Sequence, residues 1–208
     1  MKIHKKLNPL LVQKELKQIG LIIFTPKELE RIFGVSGTAV SQFLHAYTEK
    51  AFFTKLRNGL YSMEDERPNL YFAANKIYRP SYVSLETALS YYGIIPETVY
   101  SITSITSKPT RDFEALGIDF SYARIKQKAF QGYTARKEGE STVLFAEPEK
   151  AFADYLYFVS LGKKTLNDRL NVSTLDISKV RHYIELFDRS GVTRTLEKAL
   201  ALPEQKIY

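Results

Sequence analysis

The chain has 208 residues, of which 44% are hydrophobic and 25% charged, ordinary globular proportions that exclude a fibrous or disordered chain and suit one or two small cores. It has no cysteine and three scattered histidines, His4, His45 and His182, so no disulfide framework or thiolate metal site can form, and no metal or other cofactor is expected. The net charge of +7 lies mostly at the front: ten Lys or Arg against four acids up to Met63, a net +6, then −2 through Arg124 and +3 over the remainder. Such a distribution points to a polyanionic partner bound with salt-sensitive affinity.

In chain order, Lys2, Lys5 and Lys6 form a basic cluster with no apolar signal core behind it. No apolar run approaches the length that crosses a bilayer, and Leu21-Ile22-Ile23-Phe24 is only strand or core sized, so a cytoplasmic protein without a membrane partner is expected. Asn8 opens a first helix, with Pro9 in its first turn and Leu10, Leu11, Lys14, Leu16 and Ile19 at helical spacing up to Gly20. Thr25-Pro26-Lys27-Glu28 combines a Thr cap, Pro at the first helical position and Glu three residues on, the signature of a capping box. Leu29, Ile32 and Phe33 give this second helix one buried side, and Gly34 supplies the positive φ that ends it. Val35 is placed to pack under the turn, and Ser36 to cap a third helix.

In that third helix Ala39, Val40, Phe43, Leu44 and Tyr47 share an inner side, while Gly37, Thr38, Ser41, Gln42 and His45 face away. Two strands follow, Phe52-Phe53-Thr54-Lys55 and Leu60-Tyr61-Ser62, around Leu56-Arg57-Asn58-Gly59, whose Asn-Gly step is a strong hairpin signal. Helix, tight turn, helix and hairpin within about 40 residues is the layout of a winged helix-turn-helix, with Lys55 and Arg57 expected at the tip of the wing. Glu30 stands four residues before the turn glycine, where many such units carry a small residue so that the helices can cross closely.

Glu64-Asp65-Glu66-Arg67-Pro68-Asn69 switches from basic to acidic and carries a proline, dividing the chain into residues 1–66 and 67–208. The second part reads as a helix from Leu70 to Lys76, an extended segment from Tyr78 to Val83, and a helix capped by Ser84 with Leu85, Ala88, Leu89 and Tyr92 as its seam, closed by Gly93. Period-two alternation from Val99 to Thr106, and strand-like runs over 118–124, 132–135 and 142–146, predict a small, mainly antiparallel sheet. Pro148 opens a long helix with Ala151, Phe152, Tyr155, Leu156 and Val159 on one side. Helices over 176–189 and 191–202 complete a helical layer, giving an α+β fold.

Three segments carry a family resemblance: Tyr78-Arg79-Pro80-Ser81-Tyr82-Val83-Ser84-Leu85-Glu86-Thr87-Ala88-Leu89-Ser90-Tyr91-Tyr92-Gly93, Ile105-Thr106-Ser107-Lys108-Pro109-Thr110-Arg111-Asp112-Phe113, and Glu147-Pro148-Glu149-Lys150-Ala151-Phe152-Ala153-Asp154-Tyr155. In this order, behind the winged layout, they resemble the AbiEi-type antitoxin and regulator family. The resemblance implies a type IV antitoxin. Its N-terminal domain would bind double-stranded DNA at inverted repeats of the operon promoter and repress that operon, and its C-terminal domain would counteract a nucleotidyltransferase-like toxin. By the same analogy Ser36, Thr38, Ser41, Gln42 and His45 face the major groove, and Lys55 and Arg57 the flanking backbone or minor groove. Gln42 is the first choice for reading a base, because an amide pairs bidentately with adenine. Arg79, Arg111, Glu149, Lys150 and Asp154 are the candidate functional residues of the second domain, with salt bridges between helix and sheet as the competing explanation.

Two alternatives stay open. Asp112, Glu114, Glu147, Glu149, Lys150 and Asp154 supply carboxylates and a lysine of the kind a magnesium-dependent nuclease uses, but Glu147-x-x-Lys150 lacks the Glu-x-Lys step that puts both on one strand face, and no enzyme is expected. A ligand-responsive repressor would need a pocket in the second domain, which the 13% aromatic content is able to line.

Overall fold

The structure, a computed structural model, describes residues 7–202; the Lys2, Lys5 and Lys6 cluster lies outside them. The fold is α+β, with eight α-helices and sheets of three and six strands among the described residues. Helix α1 (Pro9–Gln18) starts where Asn8 accepts from the Leu10 and Leu11 amides. Its buried face is Pro9, Val12, Gln13 and Leu16, whereas Leu10 and Ile19 are exposed. Burial thus departs from the expected set and runs through Gln13, whose side chain finds partners in the Phe52 carbonyl and the Asp65 carboxylate, each at 3.3 Å. After β1 (Ile23–Phe24) come α2 (Pro26–Phe33), α3 (Gly37–Glu49), β2 (Phe53–Arg57) and β3 (Leu60–Met63), the strands ordered β1-β3-β2 and all antiparallel. Val12, Leu16, Phe24, Leu29, Val40, Phe43, Leu44 and Phe53 form the small core of this part, and each such side chain contributes about 1.5–3 kcal/mol by leaving water.

The larger part runs through α4 (Leu70–Ile77), β4 (Ser81–Val83), α5 (Leu85–Tyr91), β5 (Ile102–Thr106), β6 (Arg111–Ala115), β7 (Ile118–Arg124), β8 (Tyr133–Glu138) and β9 (Ser141–Ala146), then α6 (Pro148–Ser160), α7 (Ile177–Glu185) and α8 (Ser190–Leu200). Its sheet has the order β6-β7-β5-β4-β9-β8. Three pairings are antiparallel, but β4 with β9 and β5 with β7 are parallel, so the sheet is mixed and larger than the alternation predicts. Parallel neighbours are brought together by long crossovers, which leave no local sequence mark. β5 is buried along its whole length, and β6, an outer strand with exposed Arg111, Asp112 and Glu114, is an addition to the predicted set.

Helix α4 covers one face of this sheet, where the Tyr122 hydroxyl donates to the Ala74 carbonyl at 2.7 Å. α6 lies against the other face, with α7 and α8 packed on α6. Ser84 precedes α5, yet its hydroxyl does not cap that helix; it donates instead to Asp154 of α6 at 2.9 Å. The two parts are not beads on a linker. Ile23, Leu56 and Leu60 of the N-terminal sheet are buried in the large core, together with Ala74, Ile77 and Tyr122.

Candidate nucleic-acid interface

The α2–turn–α3 unit is built by local signals. The Thr25 amide donates to Glu28 Oε2 at 2.6 Å, and the Glu28 amide donates back to Thr25 Oγ1 at 3.4 Å. Gly34 closes α2 at φ +64°, in the left-handed region, and Ser36 caps α3 by accepting from the Ala39 amide at 3.3 Å. Close approach between the helices is achieved from the opposite side to that expected. Glu30 keeps its long side chain, and the small residue is Gly37, where a Cβ would stand 2.9 Å from a Glu30 carboxylate oxygen. That carboxylate lies beside the N-terminal end of α3, the favourable end of the helix dipole for a negative charge.

On α3 the inner side is Val40, Phe43 and Leu44, with Tyr47 half-buried; Ala39, expected on that side, is exposed. Ser36, Thr38, Ser41, Gln42 and His45 are all exposed. His45 has Glu49 as its neighbour one turn on, at 3.8 Å. The helix therefore presents a continuous run of hydroxyl, amide and imidazole groups to the outside.

The hairpin departs from expectation. Leu56 and Arg57 belong to β2 rather than to the turn, so the tip is Asn58-Gly59, with Gly59 at φ +72°. Lys55 pairs with Tyr61 and Arg57 with Leu60, leaving Leu56 as the extra residue of a β-bulge. Phe53 thus enters the small core and Leu56 the large one. Arg57 is half-buried: its Nε donates to the Ile77 carbonyl at the end of α4, and its Nη1 to the Asn58 carbonyl at 2.7 Å. It is a clasp between hairpin and α4, not a free finger.

What this docking creates is a basic cleft of about 680 Å³ between the hairpin, the end of α4 and β6. Lys55, Arg57, Arg79, Lys108 and Arg111 line it, against one carboxylate, Glu114. Residues that the sequence assigns to two separate roles, Lys55 and Arg57 on one hand and Arg79 and Arg111 on the other, come together in one place. Tyr78 and Phe113 floor the site with rings 5.6 Å apart; Lys108 Nζ sits 5.5 Å over Tyr78, and the Arg111 guanidinium 5.2 Å over Phe113. These rings hold the cations without neutralising them. Lys108 was not among the predicted site residues. Its signal was available in the short run Lys108-Pro109-Thr110-Arg111, two cations on a loop entering an outer strand. No family model and no curated protein matches this chain.

The remaining candidates lie elsewhere. Lys150 and Asp154, one turn apart on α6, form an ion pair with both side chains 0% exposed. Tyr82 completes the shell by donating to Asp154 at 3.0 Å, and Lys150 Nζ lies 4.8 Å over the Phe187 ring. Burial pushes the Asp154 carboxyl above its ordinary value of 3.8, against the pull of the Lys150 ammonium and the two hydroxyl donors. Glu149 is buried beside Lys179, 3.4 Å away, and accepts weakly from the Asp176 amide. Lys150 and Asp154 are therefore closed to any surface partner, and they tie α6 to β4. The set proposed for magnesium is not assembled: Asp112 and Glu114 are on β6, Glu147 pairs with Lys179 at 2.8 Å, and no three His, Asp or Glu side chains gather as metal ligands among the described residues. No described helix is long and apolar enough to cross a membrane.

Proposed function

We propose that this protein is a DNA-binding transcriptional regulator of the antitoxin type. In this reading its N-terminal part is a winged helix-turn-helix unit that lays α3 in the major groove of inverted repeats in its own promoter. The observation that carries the reading is the division of α3, with Val40, Phe43 and Leu44 inside and Thr38, Ser41, Gln42 and His45 outside. Apart from the His45–Glu49 pair at its C-terminal end, the outer face of α3 is rich in groups that match base edges, which a helix that served only to pack would not require. The basic cleft supports the same reading, because five cations around one carboxylate suit a phosphate backbone running past the hairpin. Arg57 then acts by orienting the hairpin as well as by its charge.

The antitoxin role rests on the three motifs that resemble the AbiEi-type family. Of the second-domain candidates, Arg79 and Arg111 are exposed and Lys150 and Asp154 are core, so a surface that counteracts a nucleotidyltransferase-like toxin runs through the first two. Two experiments test the reading. Selection from random duplexes should return an inverted repeat, and Gln42→Ala should relax the preference at one base pair per half-site by about 1–3 kcal/mol; an unchanged selected sequence would remove α3 as the reading element. Co-expression with a nucleotidyltransferase-like toxin should restore the growth that such a toxin arrests, and growth that fails to recover with a well-folded chain would reduce the protein to a repressor.

A further inference from the structure

The two borders of the large sheet differ. β6 lies beside β2 of the small sheet, but among the described residues no strand lies beyond β8 at the other border. β8 and β9 form a hairpin closed by Glu138 and Ser141 around Gly139-Glu140, and they pair without a bulge back to Tyr133 and Ala146. In a hairpin with a two-residue turn the closing pair is hydrogen-bonded, and such pairs then alternate along the ladder. The alternation turns the Leu144 backbone away from β8, and there Asn75 meets it, accepting from the Leu144 amide at 2.6 Å and donating to its carbonyl at 3.3 Å. By the same alternation Tyr133, Ala135 and Lys137 turn their amides and carbonyls out of the sheet, where no backbone group pairs with them. Sheets protect such an edge with a proline, a bulge or charges that stand over it. β8 has neither proline nor bulge, and its charges at 136 and 138 are engaged on the sheet face: Arg136 donates to the Tyr92 hydroxyl at 2.6 Å, and Glu138 accepts from the Tyr91 hydroxyl at 3.0 Å. Thr134, Ala135 and Lys137 are exposed.

We propose that β8 is the edge through which two copies of this chain pair, antiparallel about a two-fold axis, joining their large sheets. What favours a second copy is self-complementarity. A two-fold axis sets one outward-turned residue opposite itself, which leaves Tyr133, Ala135 or Lys137 at the axis. Lys137 there brings like charges together, and Tyr133 there engages only the first half of the strand. Ala135 at the axis engages the whole strand, setting Tyr133 against Lys137 and Thr134 against Arg136, with a small side chain at the centre and no charge facing its like. About six backbone hydrogen bonds form across the two copies. A strand this short supplies fewer than the roughly 20–30 residues a side of a standard interface, so a dissociation constant on the order of 100 μM is expected. This pairing is independent of the DNA reading, and its test contains no DNA.

The full chain is followed by sedimentation equilibrium up to about 1 mM, where a concentration-dependent dimer is expected. Ala135→Arg sets a cation against itself at the axis, so it should weaken the dimer about tenfold or more. Because the position is exposed, the thermal midpoint of the monomer should not move. The chain has no cysteine, so single thiols report the register. Opposed Ala135 Cα atoms stand about 5.5 Å apart, within disulfide reach, whereas Lys137 lies about 13 Å from Lys137 of the second copy. Under mild oxidation Ala135→Cys should therefore cross-link and Lys137→Cys should not. A parent that stays monomeric to about 1 mM, a dimer that Ala135→Arg leaves intact, or equal cross-linking by the two thiol variants would overturn the proposal.

Discussion

Replacing Lys150 by Met strands Asp154 inside α6 with only the Tyr82 and Ser84 hydroxyls for company. A lone carboxylate at a 0% exposed position does not stay charged. Holding a proton at pH 7 on a group whose unfolded value is 3.8 costs about 4 kcal/mol at about 1.4 kcal/mol per pH unit, and about 2 kcal/mol at pH 5. A carboxyl raised in the folded state contributes stability at pH below its unfolded value, and that stability is lost as pH rises through the folded value. The Lys150→Met protein should therefore be destabilised most at neutral pH and recover toward the parent on acidification. Urea unfolding at pH 5 and pH 7 measures both numbers. Adding Asp154→Asn, which keeps an acceptor for both hydroxyls, should bring the double variant to within about 1–2 kcal/mol of the parent at pH 7. A single variant that loses less than about 1 kcal/mol at pH 7, or loses the same at both pH values, would refute the reasoning.

Gly132 has φ +76°, and a Cβ there would stand 2.7 Å from Tyr183 ring carbons. The ring is anchored by its hydroxyl, which donates to Glu147 at 2.7 Å, so Gly132→Ala should cost about 2–4 kcal/mol in chemical denaturation. Glu147 itself is held below its ordinary value of 4.5 by hydrogen bonds from Lys179 and then Tyr183. A depressed carboxyl contributes stability above its unfolded value and loses it as pH falls through the folded one. With Glu147 27% and Lys179 42% exposed, solvent screening leaves Glu147→Gln a cost of about 1 kcal/mol at neutral pH, and its unfolding curve should converge on that of the parent in acid.

The parts of the molecule legible in the sequence are those specified by neighbours in the chain. The Thr25–Glu28 capping box, the Gly34 turn and the polar outer face of α3 depend on residues within a turn or two of one another. The second sheet depends on pairings such as Val83 with Phe145 and Ile102 with Phe120, which no local pattern encodes. The site was legible as residue types and not as a place. Lys55, Arg57, Arg79 and Arg111 were visible as cations, but that they share one cleft follows from Leu56 and Leu60 entering the large core. Leu56 reaches that core as the extra residue of the bulge. Lys150 and Asp154 show the converse: the sequence leaves a functional role and a salt bridge open for them, and the structure forms the salt bridge with both side chains buried.

The central claim is that exposed cations of the cleft neutralise a nucleic-acid backbone while α3 reads its sequence. Its most direct measurement is the affinity for the selected duplex across a range of salt concentrations, for the parent and for a protein with Lys55, Arg79, Lys108 and Arg111 all changed to Ala, each an exposed side chain. Each backbone contact contributes about −0.9 to the slope of log affinity against log salt, so the variant's slope should be shallower by about 3–4, with the preferred sequence unchanged. A variant that binds the duplex with the parent's slope and affinity would contradict the account.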